Sequence, residues 1–293
     1  MSQFAFLGAV ELGLVFAFVA MGVYLAFRIL DFPDLTVDGS FPLGAAVAAV
    51  LILAGWNPWA ATGVAMLAGA VAGLVTAALN VQFRILNLLA SILTMIALFS
   101  INLRVMGRPN IALINQDTML TPFYGLGLPD FYVRPLFIFV LVVVVLIALW
   151  RFLESDIGLA MRATGANPRM ARAQGVKTNR LIYLGMAISN ALVALGGSLF
   201  AQTNGFADVT SGVGTIVVGL AAVIVGETLF RSRLLAIALI GCVAGSILYR
   251  IAIQTALSTD ALGLKASDLN LVTAALVAIA LILPRLRRGG AST

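Results

Sequence analysis

Residues 39–83 read GSFPLGAAVAAVLILAGWNPWAATGVAMLAGAVAGLVTAALNVQF, without a single charged side chain. A helix that crosses the bilayer core needs about 20 mostly apolar residues. This run is long enough for two such helices, with Asn57–Pro58 placed to turn the chain between them. The rest of the sequence has the same character. The chain has 293 residues, of which 61% are hydrophobic and 10% charged, and its mean hydropathy is +1.08. An average soluble domain carries roughly 25% charged residues to dress its surface. A soluble enzyme, a disordered chain and a nucleic-acid-binding domain are excluded, and an all-α polytopic membrane protein remains.

Apolar runs outline nine transmembrane or half-membrane helices: Phe4–Phe27, Phe41–Gly55, Pro58–Leu79, Ile85–Met106, Arg134–Phe152, Leu181–Ala201, Val213–Phe230, Leu234–Ala256 and Asp268–Leu283. The second and seventh are short for a full crossing. The first lacks a basic leader and is long enough to span, so it reads as a transmembrane helix and not as a cleaved signal peptide. The whole of 1–293 reads as one transmembrane domain, with an external loop at 107–133 and a cytoplasmic loop at 154–180.

Lysine and arginine set the orientation, because they collect in cytoplasmic loops. With the N-terminus outside, thirteen of the 18 basic residues fall on one face: Arg28, Arg84, Arg151, Arg162, Arg169, Arg172, Lys177, Arg180, Arg231, Arg233, Arg285, Arg287 and Arg288. Only Arg104, Arg108, Arg134, Arg250 and Lys265 fall on the other. The first face is therefore cytoplasmic, as is the C-terminus. The net charge of +6 reflects this topology and needs no nucleic-acid partner.

Histidine is absent and the one cysteine, Cys242, lies in an apolar run. That removes the commonest general base and metal ligand and any disulfide. There is no Gly-x-x-x-x-Gly-Lys-Ser/Thr sequence, so the chain has no phosphate-binding loop of its own. No metal site is expected, and no catalytic residue. Transport is left as the function.

The segment from Glu154 to Arg180 reads ESDIGLAMRATGANPRMARAQGVKTNR. Asn167 suits an N-cap, and Pro168 suits the first helical position, where its missing N–H costs nothing. Met170, Ala171 and Ala173 continue a short helix, and Gly175 is placed to end it. Gly158, Ala160, Ala163 and Gly165 are small enough to admit a partner's backbone. A solvated basic loop is the plain alternative, but such complete start and stop signals favour a docking element.

This segment and the helix after it, LIYLGMAISNALVALGGSLFAQ (181–202), resemble the coupling region of ABC importer permeases of the branched-chain amino acid and ribose type. The matching positions are Gly158, Arg162-Ala163-Thr164-Gly165, Asn167, Ala171, Gly175-Val176 and Gly196-Gly197. The stretch LAFRILDFPDLTVDGSFPLGAAVAAV (25–50) is similar to the version found in aromatic amino acid permeases. One departure is Gly226-Glu227, where many relatives carry Gly-Gly.

The resemblance implies a type II importer-like permease in a bacterial inner membrane. It also implies a second permease subunit, two cytoplasmic ATPases that hold ATP and Mg, and a periplasmic or lipid-anchored solute-binding protein. The ATPase-coupling residues would be Gly158, Arg162, Ala163, Thr164, Gly165, Asn167, Pro168, Ala171 and Gly175. The solute would be an amino acid or a related compound, and the chain's length suits half of a homodimeric pore.

Candidate residues for the solute path come from polar groups within apolar runs. Asp31–Ser40, with Asp34, Thr36, Asp38 and Ser40, reads either as a broken-helix entrance or as a cytoplasmic turn with Arg28 paired to Asp31. Asn87, Ser91, Thr94 and Asn102 share a stripe that either lines a path or joins helices; Ser189 and Asn190 carry the same two readings. Glu11 is an ionisable group inside the first span. Glu227 is expected to pair with Arg231 or Arg233. The pairs Gly69–Gly73 and Gly241–Gly245 suit close packing within the chain. The alternative function is an ion-coupled transporter that needs no ATPase; its ion site is hard to find without histidine or a lysine in a span.

Overall fold

A computed structural model describes residues 3–124, 129–230 and 234–257. Ten α-helices account for almost all of them: α1 Gln3–Val23, α2 Val37–Leu53, α3 Pro58–Val81, α4 Asn87–Met106, α5 Asp130–Glu154, α6 Asp156–Ala166, α7 Pro168–Ala173, α8 Thr178–Asn204, α9 Thr215–Leu229 and α10 Leu235–Leu257. Seven helices are long and apolar enough to cross a membrane, α1 being counted with the π-helical turn Tyr24–Ile29 that prolongs it. The second expected span, α2, is a 17-residue helix too short for this class. The seventh reaches full length because a 3₁₀ turn at Val209–Gly212 leads into it. Eight of the nine expected transmembrane or half-membrane helices are thus present among the described residues, seven as full spans and one as a short apolar helix. The ninth run, Asp268–Leu283, lies outside them.

Between helices in lipid the hydrophobic effect contributes little, and association depends on close packing and interhelical hydrogen bonds. The sequence meets that demand with glycine. The helix α1, buried from Gly13 through Val23, is the hub. A Cβ on Gly13 would stand 2.7 Å from the Ile247 Cα of α10, and one on Gly22 would stand 2.7 Å from the Ser189 carbonyl of α8. These approaches are used twice in the same way. The Ser246 hydroxyl donates to the Gly13 carbonyl at 2.7 Å, and the Ser189 hydroxyl donates to the Gly22 carbonyl at 2.7 Å.

A second contact layer joins α2, α3 and α8. Gly44 of α2 lies on the backbone of Ala194, and Gly197 of α8 lies on the backbone of Phe41. Gly69 and Gly73 of α3 both face the α8 backbone, at Asn190 and Met186. Gly241 and Gly245 of α10 face Gly226 and Ala222 of α9. Both Gly-x-x-x-Gly pairs are therefore used within the chain.

Besides the helices there is one short ribbon. β1 (Asn110–Ala112) pairs antiparallel with β2 (Phe206–Asp208), tying the 107–133 connection to the turn after α8. Gly107 and Gly205 end α4 and α8 in the left-handed conformation, at φ of 68° and 75°, and these two reversals bring the strands together. Gln202 completes the seam: its Nε2 donates to Thr62 Oγ1 at 2.9 Å, and its Oε1 accepts from the Met119 N–H at 3.0 Å.

Candidate functional site

Two groups of residues stand out, one inside the bundle and one on its basic face. The inner group belongs to the connection between α1 and α2. The π-helical turn ends at Ile29, and Asp31 then takes a left-handed φ of 53°, a conformation that aspartate adopts more readily than most residues. Asp31 is exposed, but the chain turns inward after it: Asp34, Thr36 and Ser40 have no solvent exposure. Their burial argues against a plain surface turn over the second half of Asp31–Ser40. Irregular backbone at such depth survives only with its polar groups satisfied.

That condition is met by hydrogen bonds from other helices. Asp34 Oδ1 accepts from the Thr36 N–H at 2.9 Å, and Oδ2 accepts from Asn190 Nδ2 of α8 at 2.8 Å. Ser40 donates to Asn190 Oδ1 at 2.7 Å. The Thr36 and Thr76 hydroxyls share a hydrogen bond of 2.8 Å. Ser189, the neighbour of Asn190, is committed to the Gly22 carbonyl.

Asp38 has a different partner from the solute anticipated for it. Its Oδ1 accepts from the Ile216 N–H at 2.7 Å and its Oδ2 from the Gly214 N–H at 3.2 Å, so it caps α9 from another helix. A carboxylate there satisfies amides that the first turn leaves open and complements the helix dipole.

The residues of the α4 stripe are held in two ways, some by other elements and some by α4 itself. Ser91 and Thr94 are buried and return their hydroxyls to their own helix, to Leu88 and Ala90 carbonyls. Asn102 donates to the Gly39 carbonyl at 3.1 Å, while its Oδ1 is buried without a partner among the described residues. Asn87 accepts from Asn80 at 2.5 Å at the start of the helix. Glu11 is half-buried within the electrostatic reach of Arg134.

At the basic face, Arg28 forms an ion pair with Glu227 near the end of α9. Arg28 does not turn to Asp31 but to a partner nearly 200 positions away. The expected pairing of Glu227 with Arg231 or Arg233 lies outside the described residues. The loop at 154–180 holds two helices where one was expected. Ser155 caps α6, accepting from the Gly158 N–H at 3.4 Å. Asn167 caps α7, its Oδ1 accepting from the Arg169 and Met170 N–H groups at 3.1 and 3.0 Å. Pro168 opens α7, and Gly175 beyond it has a φ of 82°.

The coupling candidates fall into two sets. Ala163, Asn167, Pro168 and Gly175 are exposed, together with Met170 at 63%. Gly158, Thr164 and Ala171 are buried. The half-buried Gly165 faces the Ile29 carbonyl, and Gly158 faces Phe152 and Leu153. The smallness of these two glycines is thus used inside the chain, not to admit a partner as the sequence suggested. Arg162 is half-buried near Tyr24, with its Nε lacking a partner among the described residues.

Sequence reasoning missed several polar residues. Thr76 and Gln202 gave no local signal, since a lone threonine or glutamine in an apolar helix is unremarkable until its partner is known. Arg250 was assigned to the outer side of the membrane; its guanidinium sits 3.9 Å from the centre of the Phe16 ring, within the α1 and α10 contact. In the two-stranded ribbon, burial tends to raise the Asp208 carboxyl, but hydrogen bonds from Thr210 and Asn110 outweigh it and hold the group below the ordinary aspartate range. Among the described residues no three His, Cys, Asp or Glu side chains come together as a metal site.

Residues 6–283 match the family described as branched-chain amino acid transport system / permease component. The chain is 39% identical to a tyrosine transport system permease protein of Clostridioides difficile, over 90% of this chain and 86% of that one. It is 26% identical to the ribose import permease protein of Escherichia coli K12, over 67% of this chain and 60% of that one. Among solved structures it resembles PsaBC from Streptococcus pneumoniae, with a TM-score of 0.50 and 17% identity, over 96% of this chain and 91% of that one. The last likeness concerns the fold alone.

Proposed function

Because the chain belongs to the branched-chain amino acid transport system permease family, we propose that it is the transmembrane subunit of an ABC importer for an amino acid. Two copies would form the pore. Two cytoplasmic ATPases, which hold ATP and Mg, would drive alternating access, and a periplasmic or lipid-anchored binding protein would deliver the solute. Aromatic or branched amino acids fit best, and the similarity to a tyrosine permease supports the aromatic class.

The observation that carries the reading is the α6–α7 hairpin on the basic face. It is a capped, preformed pair of helices whose exposed surface includes Met170, Pro168 and Ala163. An exposed methionine on a short rigid helix is a suitable knob for a partner's cleft. The inner polar group supplies hydroxyl, amide and carboxylate groups beside the helices that would move. Asn102 Oδ1 is a candidate contact for the solute as it passes.

The experiment is reconstitution. The chain, its ATPases and its binding protein in proteoliposomes are expected to accumulate labelled tyrosine, phenylalanine or leucine only with ATP present. Accumulation by the chain alone on an ion gradient would establish the alternative, an ion-coupled transporter using the buried Asp34.

A further inference from the structure

We propose that the α1–α2 connection is a strut joining the α6–α7 hairpin to both ends of α9, and that the Arg28–Glu227 ion pair is its releasable latch. The proposal rests on the importer reading.

Three contacts define the strut. At the basic face, residues 29 and 30 are clamped between two glycines. Gly165 of α6 is seated on the Ile29 carbonyl, and Gly185 of α8 faces the Leu30 side chain, with the Met161 sulfur 3.2 Å from where its Cβ would stand. There is no spare volume at this point, so a displacement of α6 reaches the chain at Ile29 directly. In the interior, the same segment is anchored by Asp34 and Ser40 on the single side chain of Asn190. Beyond that anchor, Asp38 holds the first amides of α9.

The helix α9 is therefore gripped at both ends by residues ten positions apart in sequence. Asp38 holds its N-terminus, and Arg28 holds Glu227 in its last turn. The two grips differ in kind. Asp38 bonds to backbone amides within the protein, whereas the Arg28 side chain is 55% exposed. An ion pair in contact with water is weak and breaks readily.

The compliant part of the strut lies beside the weak grip. Arg28 belongs to the π-helical turn Tyr24–Ile29, and single π turns are irregularities that concentrate at functional positions. A push on Ile29 is stopped at the Asp34–Asn190 anchor and absorbed by the π turn. Arg28 then parts from Glu227, and the inner end of α9 swings while Asp38 keeps the outer end in place.

The test uses the full chain with its ATPases and binding protein in proteoliposomes, reading tyrosine uptake per ATP hydrolysed; retention of the ATPases is measured separately. Arg28→Glu and Glu227→Arg, made singly, are expected to lower uptake per ATP roughly two- to fivefold, the range of coupling in a partly exposed ion pair. The charge-swapped double variant is expected to restore it, with ATPase retention unchanged in all three. Single variants at the wild-type ratio, or a double variant no better than its singles, overturn the latch. If the single variants fail to fold, Arg28→Cys with Glu227→Cys in a Cys242→Ser background carries the test. A short cleavable bis-thiol link between the two is expected to stop uptake reversibly, and uptake at the unlinked rate while joined overturns the proposal. Wild-type uptake without any ATPase overturns the importer reading itself, a result distinct from failure of the variants.

Discussion

Asn190 and Asp34, on α8 and on the irregular segment before α2, meet through a 2.8 Å hydrogen bond with no solvent exposure at either residue. The same amide accepts from Ser40, so one side chain of α8 fixes two points of the α1–α2 connection. A buried polar group that loses its partner costs about 1–3 kcal/mol. Asn190→Ala removes the partner of both Asp34 and Ser40 and is expected to lower the melting temperature of the detergent-purified chain markedly. Ser40→Ala removes one hydroxyl together with its need for a partner and is expected to cost less. A smaller shift for Asn190→Ala than for Ser40→Ala contradicts the shared-anchor reading.

The glycine contacts make a second prediction. In a free helix, replacing glycine by alanine stabilises by about 1 kcal/mol. At Gly44 and Gly197 the added Cβ meets the backbone of a neighbouring helix, and overpacking of that kind costs about 1–3 kcal/mol. Gly44→Ala and Gly197→Ala are expected to melt lower than wild type. Gly63→Ala, with nothing within 4 Å of the new atom, is expected to melt at the same temperature or higher. Thermal unfolding of the three variants side by side decides it.

On the basic face, packing and docking should separate by position. Met170→Glu changes an exposed side chain of α7 and is expected to reduce ATPase retention at least about tenfold, as loss of a central interface contact does, with melting unchanged. Gly165→Ala presses on the Ile29 carbonyl and is expected to lower the melting temperature. Co-purification and thermal unfolding together check the pair, and the opposite assignment of effects would refute the division.

Asp208 links the two-stranded ribbon to pH. Its carboxyl titrates below the ordinary range because Thr210 and Asn110 donate to it in the folded state. A folded-state value below the unfolded one means that the stabilisation is present above the ordinary aspartate value of about 3.9. It is lost as pH falls through the lowered value. Wild type is expected to melt above Asp208→Asn at neutral pH, and the gap is expected to close on acidification below about pH 4. A gap that stays constant between pH 7 and pH 3 rules this contribution out.

Much of the architecture could be read from local pattern, because local pattern causes it. The uncharged run at 39–83 covers α3 and all but the first two residues of α2, with the Asn57 side chain accepting from the Trp59 N–H at 2.9 Å to start α3. The signals at Asn167, Pro168 and Gly175 describe α7 as it stands. The helix α6 escaped notice because Gly158 and Gly165 weaken its propensity; Ser155 and its packing against α5 and α8 compensate. The π turn Tyr24–Ile29 has no sequence signature.

By itself, then, the sequence determined that this is a membrane protein of many helices, and that a capped helix stands in the segment 154–180. Those are properties of composition and of neighbours within a few residues. Only the tertiary structure decided which polar groups lie inside and what they hold. Asp34 with Asn190, Asp38 with the amide of Ile216, and Arg28 with Glu227 are separated by 156, 178 and 199 positions. Each half of such a pair is an ordinary residue in its own helix. In lipid a polar side chain is driven to find a partner wherever the fold brings one, and only the folded arrangement of the helices determines which partner that is.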